Sequence, residues 1–402
     1  MIDEKIITDA EKELSNDFKV LEDIALFNQA KVLNAFQKNK IALRHFAGSS
    51  GYGYGDDGRD TLNRLFADVF KAEAAICSPN IVSGTHALSA CLYGVLRPND
   101  AALSISGGVY DTLNDVIYGE NNGSLKDYGI NFEKVDLKNG DFDFDVIAKK
   151  LKELKPKMVY IQRSRGYEWR GALSIDQIET AVKFLRNNGF DGCIMLDNCY
   201  GEFTEKKEAI EIGVNLAAGS LIKNAGGGIA PTGGYVVGDK QYVDMVANRL
   251  TAPSIGGEVG SYAFGYQYFY QGLFLAPHTV LQSLKGAMLF AAVLNKLGFK
   301  ISPAPHELPH DIITMIELGD SDKLISFIQS IQENSPIDSF VKVLPWDMPG
   351  YNDPVIMAAG CFVQGASIEL SADAPVKAPY IAYLQGGITY EHCKIALKNL
   401  KL

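Results

Sequence analysis

The sequence predicts an α/β protein with a mostly parallel central sheet, helices on both faces and a smaller C-terminal α+β domain. Three observations predict it. Short apolar runs alternate with helical segments over roughly residues 74–240, and parallel strands need such crossover connections. A long apolar helix, VLQSLKGAMLFAAVLNKLG, follows at residues 280–298. Beyond it the pattern changes to separated strands and helices. The expected division is an N-terminal helical arm (1–50), a large α/β domain (51–280) and a small α+β domain (281–402).

Taken in order, Leu14, Phe18, Leu21 and Ile24, then Val32, Leu33 and Phe36, recur at helical spacing in the arm. The glycine-rich stretch AGSSGYGYGDDGRD precedes a helix expected over Thr61–Val69, with Asp60 as its N-cap. AAICSP, AALSIS, MVYIQ, CIMLDN, LAAGSLIK and GGYVVG read as buried strands or strand ends. ALSACLYGVL, DFDVIAKKLKEL and IDQIETAVKFLRNNG read as the helices between them. Gly298 ends the long helix as a C-terminal glycine. IITMIEL, VIMAAGCFV and ASIEL are then expected as strands, and DKLISFIQSIQEN and YEHCKIALKNL as helices.

Composition excludes several classes. The 402 residues are 47% hydrophobic and 21% charged, an ordinary globular balance. A net charge of -10 without a basic block disfavours nucleic acid as a partner. The acidic, polar start has no apolar core of a secretory signal, and no apolar run reaches the ~18 residues of a membrane span. A cytoplasmic protein with no membrane partner is expected. The six cysteines occur singly, with no Cys-x-x-Cys pair, and read as buried free thiols. His45, His278, His306, His310 and His392 lack metal-ligand spacing. The aromatic run SYAFGYQYFYQGLF (262–274) reads as core or subunit interface.

In a doubly covered parallel sheet, ligands lie beyond the carboxyl ends of the strands. There AAICSPNIVS leads to Gly84, Thr85 and His86 at the start of a helix, where free N–H groups and the helix dipole face an anion. A capped helix without a ligand reads the same way. CIMLDNCYGEF places Asp197 at the end of an apolar strand, where a carboxylate needs donors or a cation. LAAGSLIKNAGGG places Lys223 after an apolar run and before three glycines. Loss of solvation there is expected to lower its pKa and free the amine. The lysine precedes the glycines, so this is no Walker loop. The combination of an anion cradle, a buried acid, an amine and the aromatic Tyr110 matches what pyridoxal 5'-phosphate (PLP) requires.

The motifs SGYGYGDDGRDTL, VSGTHAL, GGVYDTL, IQRSRGYEWR, LDNCYGEF, GSLIKNAGGGIAPTGGYVVG, TAPSIGGEVG, QGLFLAPHTV and APYIAYLQGG carry a closer resemblance. Through them nearly the whole chain resembles the methionine gamma-lyase-like, or aluminium-resistance, proteins among fold-type I PLP enzymes, a family labelled as cystathionine beta-lyases. The resemblance implies Lys223 as the Schiff-base lysine and Asp197 as partner of the pyridine nitrogen. Gly84, Thr85, His86 and Ser220 would hold the phosphate, and Tyr110 would stack on the ring. Tyr54 and Arg59 would reach the phosphate of a neighbouring subunit, in a homodimer or homotetramer. Gln162, Arg163 and Ser164 would lie near the cofactor hydroxyl or the substrate. The family's arginine before Pro-Tyr is replaced by Lys377, so the substrate carboxylate falls to Lys377, Arg163 or Arg165.

The activity so implied is a carbon–sulfur lyase, β- or γ-eliminating a thiol from an amino acid such as cystathionine or methionine. A PLP-dependent aminotransferase would share the core residues. A non-catalytic PLP-binding stress-response protein is the remaining reading.

Overall fold

Residues 2–348 and 353–402 are described by the computed structural model. Seven strands form the large sheet among them: β1 (Ala74–Ser78), β2 (Ala101–Ser104), β3 (Asn131–Lys134), β4 (Met158–Gln162), β5 (Cys193–Asp197), β6 (Leu216–Ser220) and β7 (Gly234–Gly238). Their order is β1-β7-β6-β5-β4-β2-β3, and only β7 runs against its neighbours. Strands β4 to β7 are buried at every position, which is why they read as unbroken apolar runs instead of alternating ones.

The helices are α1 (Glu4–Glu13), α2 (Ser15–Lys38), α3 (Asp57–Phe70), α4 (Gly84–Val95), α5 (Asp111–Tyr118), α6 (Phe144–Leu154), α7 (Ile175–Asn187), α8 (Lys240–Leu250) and α9 (Gln267–Lys296). The second sheet holds β8 (Lys300–Ser302), β9 (Ile313–Glu317), β10 (Val355–Ala358), β11 (Ser371–Pro375) and β12 (Ile381–Gln385), in the order β10-β11-β12-β9-β8 and wholly antiparallel. Helices α10 (Ser321–Glu333) and α11 (Tyr390–Lys398) complete it. No helix of the described residues is long and apolar enough to cross a membrane.

Several local expectations are corrected. Helix α3 starts earlier than Thr61, because Asp56, extended at φ -64° and ψ 98°, accepts the N–H of Arg59 and is the true cap. Asp60 lies inside the helix and pairs with Arg59. The segment ASIEL is not a strand: Glu369 folds back to accept the N–H groups of Phe362 and Val363, and the strand begins at Ser371. The long helix starts at Gln267 instead of about 280, so the aromatic run enters it. Tyr266, Phe269, Tyr270 and Leu273 are all buried there, and that packing carries the helix through Pro277. The expected boundary at 280/281 therefore falls within α9. The sequence reading also passed over β3, β8, α5 and α8, which are short or polar.

Helix α9 approaches the loop after β6 with no room for side chains between them. A Cβ on Gly272 would lie 2.3 Å from the carbonyl oxygen of Gly226, and one on Gly227 (φ +59°) would lie 2.3 Å from that of Gly272. Thr279 donates its hydroxyl to the Gly227 carbonyl at 3.1 Å, just above. We predict that Gly272→Ala lowers stability by about 1–3 kcal/mol through forced separation of these elements. A lower midpoint in chemical unfolding checks this.

Candidate active site

The carboxyl ends of β1, β2, β4, β5 and β6 converge on a cavity of about 210 Å³, closed on the far side by β9, β11 and β12. Asp197 is the last residue of β5, in register with Gln162 of β4 and Ala218 of β6. Ser220 ends β6, and Lys223 follows at the start of a tight turn, Asn224–Gly226. The N-terminus of α4 meets them. Gly84 is so close that a Cβ there would lie 3.4 Å from the Ser220 Cβ and 3.5 Å from the Cys199 Sγ.

Each group is held by local geometry. Ser83 caps α4 by accepting the His86 N–H at 3.0 Å, which leaves the Gly84 and Thr85 amides at the helix start without an intrahelical acceptor. The Thr85 hydroxyl bonds that of Thr112 at 2.7 Å. Asp197 Oδ1 accepts the Cys199 N–H at 3.1 Å, and Tyr160 donates its hydroxyl to Oδ2 at 3.4 Å. Lys223 Nζ stands 4.0 Å above the centre of the Tyr200 ring. Asn224 Nδ2 donates to the carbonyls of Tyr200 and Glu202, both at 3.0 Å, tying the lysine turn to the loop after β5. Tyr110 caps α5, and its N–H donates to Gln162 Oε1 at 2.7 Å.

The electrostatics differ from the expectation in one respect. Burial does pull the Lys223 amine down, but the Cys199 thiol, the Tyr200 phenol and the Asp197 and Glu202 carboxyls around it raise it above the ordinary lysine range. Burial pushes Cys199 and Tyr200 up as well. Burial also raises Asp197, against the pull of Lys223 and its hydrogen bonds. Glu202, fully buried, is pushed up to about 8, and Asp373 of β11 to about 6. The lowered amine expected from burial is therefore not met: the acidic groups around Lys223 outweigh its loss of solvation.

Gly84, Thr85, Tyr110, Asp197, Ser220 and Lys223 all line this cavity, together with Ser164. The other expected residues do not. His86 turns back, its Nδ1 accepting the Val82 N–H at 3.2 Å. Gln162 is buried behind the wall and orients Tyr110. Arg163, wholly buried, spends its guanidinium on Leu173, Asn198, Gly201, Thr204 and Glu205. Arg165 is spent on Asp311 and Ser302. A buried guanidinium must match its donors, and these loops supply the acceptors. Neither arginine is free for a substrate. Lys377 is 60% exposed and pairs with Asp353 at 2.7 Å in a neighbouring recess. Arg59 is buried against Asp60 and the Gly53 carbonyl, while Tyr54 is 70% exposed.

Sequence reading missed Tyr200, Tyr167, Asp373, Tyr383 and Gln385, which complete the lining. Tyr200 could have been found three residues beyond Asp197. Asp373 could have been found as an acid in the otherwise apolar strand SADAP.

The model of the family described as methionine gamma-lyase matches residues 3–401, and the chain belongs to that family. It is 51% identical to a solved Clostridium novyi protein described as a carbon-sulfur lyase involved in aluminum resistance. That match covers 98% of this chain and 94% of the other, with a TM-score of 0.94. It is 47% identical to a Listeria monocytogenes protein provisionally assigned as a cystathionine beta-lyase involved in aluminum resistance, over 99% and 98% of the two chains, with a TM-score of 0.96. A Campylobacter jejuni O-acetylhomoserine (thiol)-lyase candidate carrying a pyridoxyl-lysine shares the fold at 15% identity, with a TM-score of 0.58 over 87% and 88% of the chains. The expected fold and family are thus both met.

A carboxyl raised in the folded state binds its proton more tightly there than in the unfolded chain. Stability then falls as pH climbs from the ordinary glutamate value of 4.5 towards about 8. Glu202→Gln removes that slope. Unfolding of both proteins at about pH 5.5 and 8 should show the wild type losing on the order of a few kcal/mol relative to the variant.

Proposed function

We propose that the protein is a PLP-dependent carbon–sulfur lyase acting on an amino acid. The observation that carries this reading is the meeting of Lys223 and the buried Asp197 with the α4 N-terminus in one cavity, beyond the carboxyl ends of β5 and β6. These residues fit the cofactor. The amides of Gly84 and Thr85, with Ser220, would take its phosphate. Asp197 would hold the ring nitrogen, and Tyr110 would offer its face. Bound there, PLP supplies an aldehyde for amines and a sink for electrons.

The protein's own groups do the rest. Lys223 Nζ receives the α-proton of the amino acid and returns a proton to product. Asp197, fixed by the Cys199 amide and the Tyr160 hydroxyl, would keep a proton on the ring nitrogen of the bound cofactor. The Tyr200 face beneath Nζ steadies the amine whenever it is charged. We further propose a homodimer or homotetramer, in which the exposed Tyr54 reaches a neighbouring site.

The purified protein incubated with L-cystathionine or L-methionine should release a free thiol and a 2-oxo acid with no added acceptor. Product that appears only with a keto acid would identify an aminotransferase instead. Lys223→Ala should lose the yellow cofactor band and at least ~10³-fold of the activity. An unchanged activity would mark the site as non-catalytic.

A further inference from the structure

One partly buried acid of the cavity has no task in that scheme. Asp373 of β11 lines the same space as Lys223, beside Tyr167, Tyr383 and Gln385. Arg163, Arg165 and Lys377 are engaged elsewhere, on Glu205, Asp311 and Asp353; among the described residues Lys223 is the cation that shares the cavity with it, and in the proposed scheme that amine is committed to the cofactor. Aromatic faces surround it. Tyr383 pairs with Asp373 across the strands, its ring 4.7 Å from that of Tyr167, which lies 5.9 Å from that of Tyr110. Tyr383 is locked in place by donating its hydroxyl to the Tyr167 carbonyl at 2.7 Å.

A carboxylate framed by tyrosine rings is the chemistry that recognises an alkylammonium, through charge and through the ring quadrupoles. A neutral side chain would leave the carboxylate desolvated and unmatched, which opposes its binding. We infer that Asp373, with Tyr167 and Tyr383, binds a cationic amine at the far end of the substrate's side chain, so that the site selects diamino acids. This rests on the reading of the Lys223 cavity as an amino-acid site. It also divides that reading, since cystathionine carries a second amine and methionine does not.

The holoenzyme should be titrated with L-lysine and L-norleucine, which share their carbon chain and differ in a terminal ammonium. Both the cofactor spectrum and the thermal shift report binding. Lysine should bind roughly 10-fold or more tightly than norleucine, and Asp373→Asn should bring the two affinities together. Equal affinities in the wild type, or a preference for norleucine, overturn the inference while leaving the amino-acid site intact. Binding of neither overturns both. Should Asp373→Asn fail to fold, the wild-type comparison alone decides.

Discussion

A single lysine set among acidic groups governs this structure. Among the described residues Lys223 is the one basic side chain lining its cavity, and Asp197, Glu202 and Asp373 lie close enough to shift or be shifted by it. Burial alone would discharge the lysine, and burial alone would also protonate the acids. Their mutual attraction offsets part of that cost, and for Lys223 the acidic surroundings outweigh the burial. Removing or consuming that positive charge leaves the acids uncompensated. A cavity so arranged favours whatever brings cationic groups to it, which suits amines and opposes anionic side chains.

The same constraint explains why helix α9 is so long. The turn that carries Lys223 is pressed onto α9 at Gly226, Gly227 and Gly272, and Thr279 bonds it directly. One turn further on, the Ser283 hydroxyl donates to the Gly387 carbonyl at 3.0 Å, beside the end of β12. The Thr314 hydroxyl of β9 donates to the Ala287 carbonyl at 3.3 Å. A single helix therefore indexes the lysine turn of the large sheet against the Asp373 strand of the second sheet. Packing beside both sheets, more than local propensity, sets its length.

Much of this was legible in the sequence, and the failures have physical causes. The buried strands of a two-sided sheet announce themselves as apolar runs, and their carboxyl ends led to Asp197, Ser220 and Lys223 without any contact information. Gly84 and Thr85 were legible as a helix start. Periodicity does not say where a loop side chain points, so Arg163 and Arg165 looked available when both turn into the protein. Nor does it show which residues of a distant segment close the cavity, and Asp373, Tyr383 and Gln385 were passed over for the exposed Lys377. The direction of the Lys223 shift was misjudged for the same reason: its acidic neighbours, Cys199, Tyr200 and Asp197 foremost, are close in space but are not marked as such in the chain.

The most direct test is chemical. Holoenzyme reconstituted with PLP and reduced with borohydride fixes the cofactor to the amine that holds it, and peptide mapping locates the added mass. The account predicts that the mass falls on the peptide containing Lys223 and on no other lysine. A label on a different lysine, or no label at all after reconstitution, would contradict it.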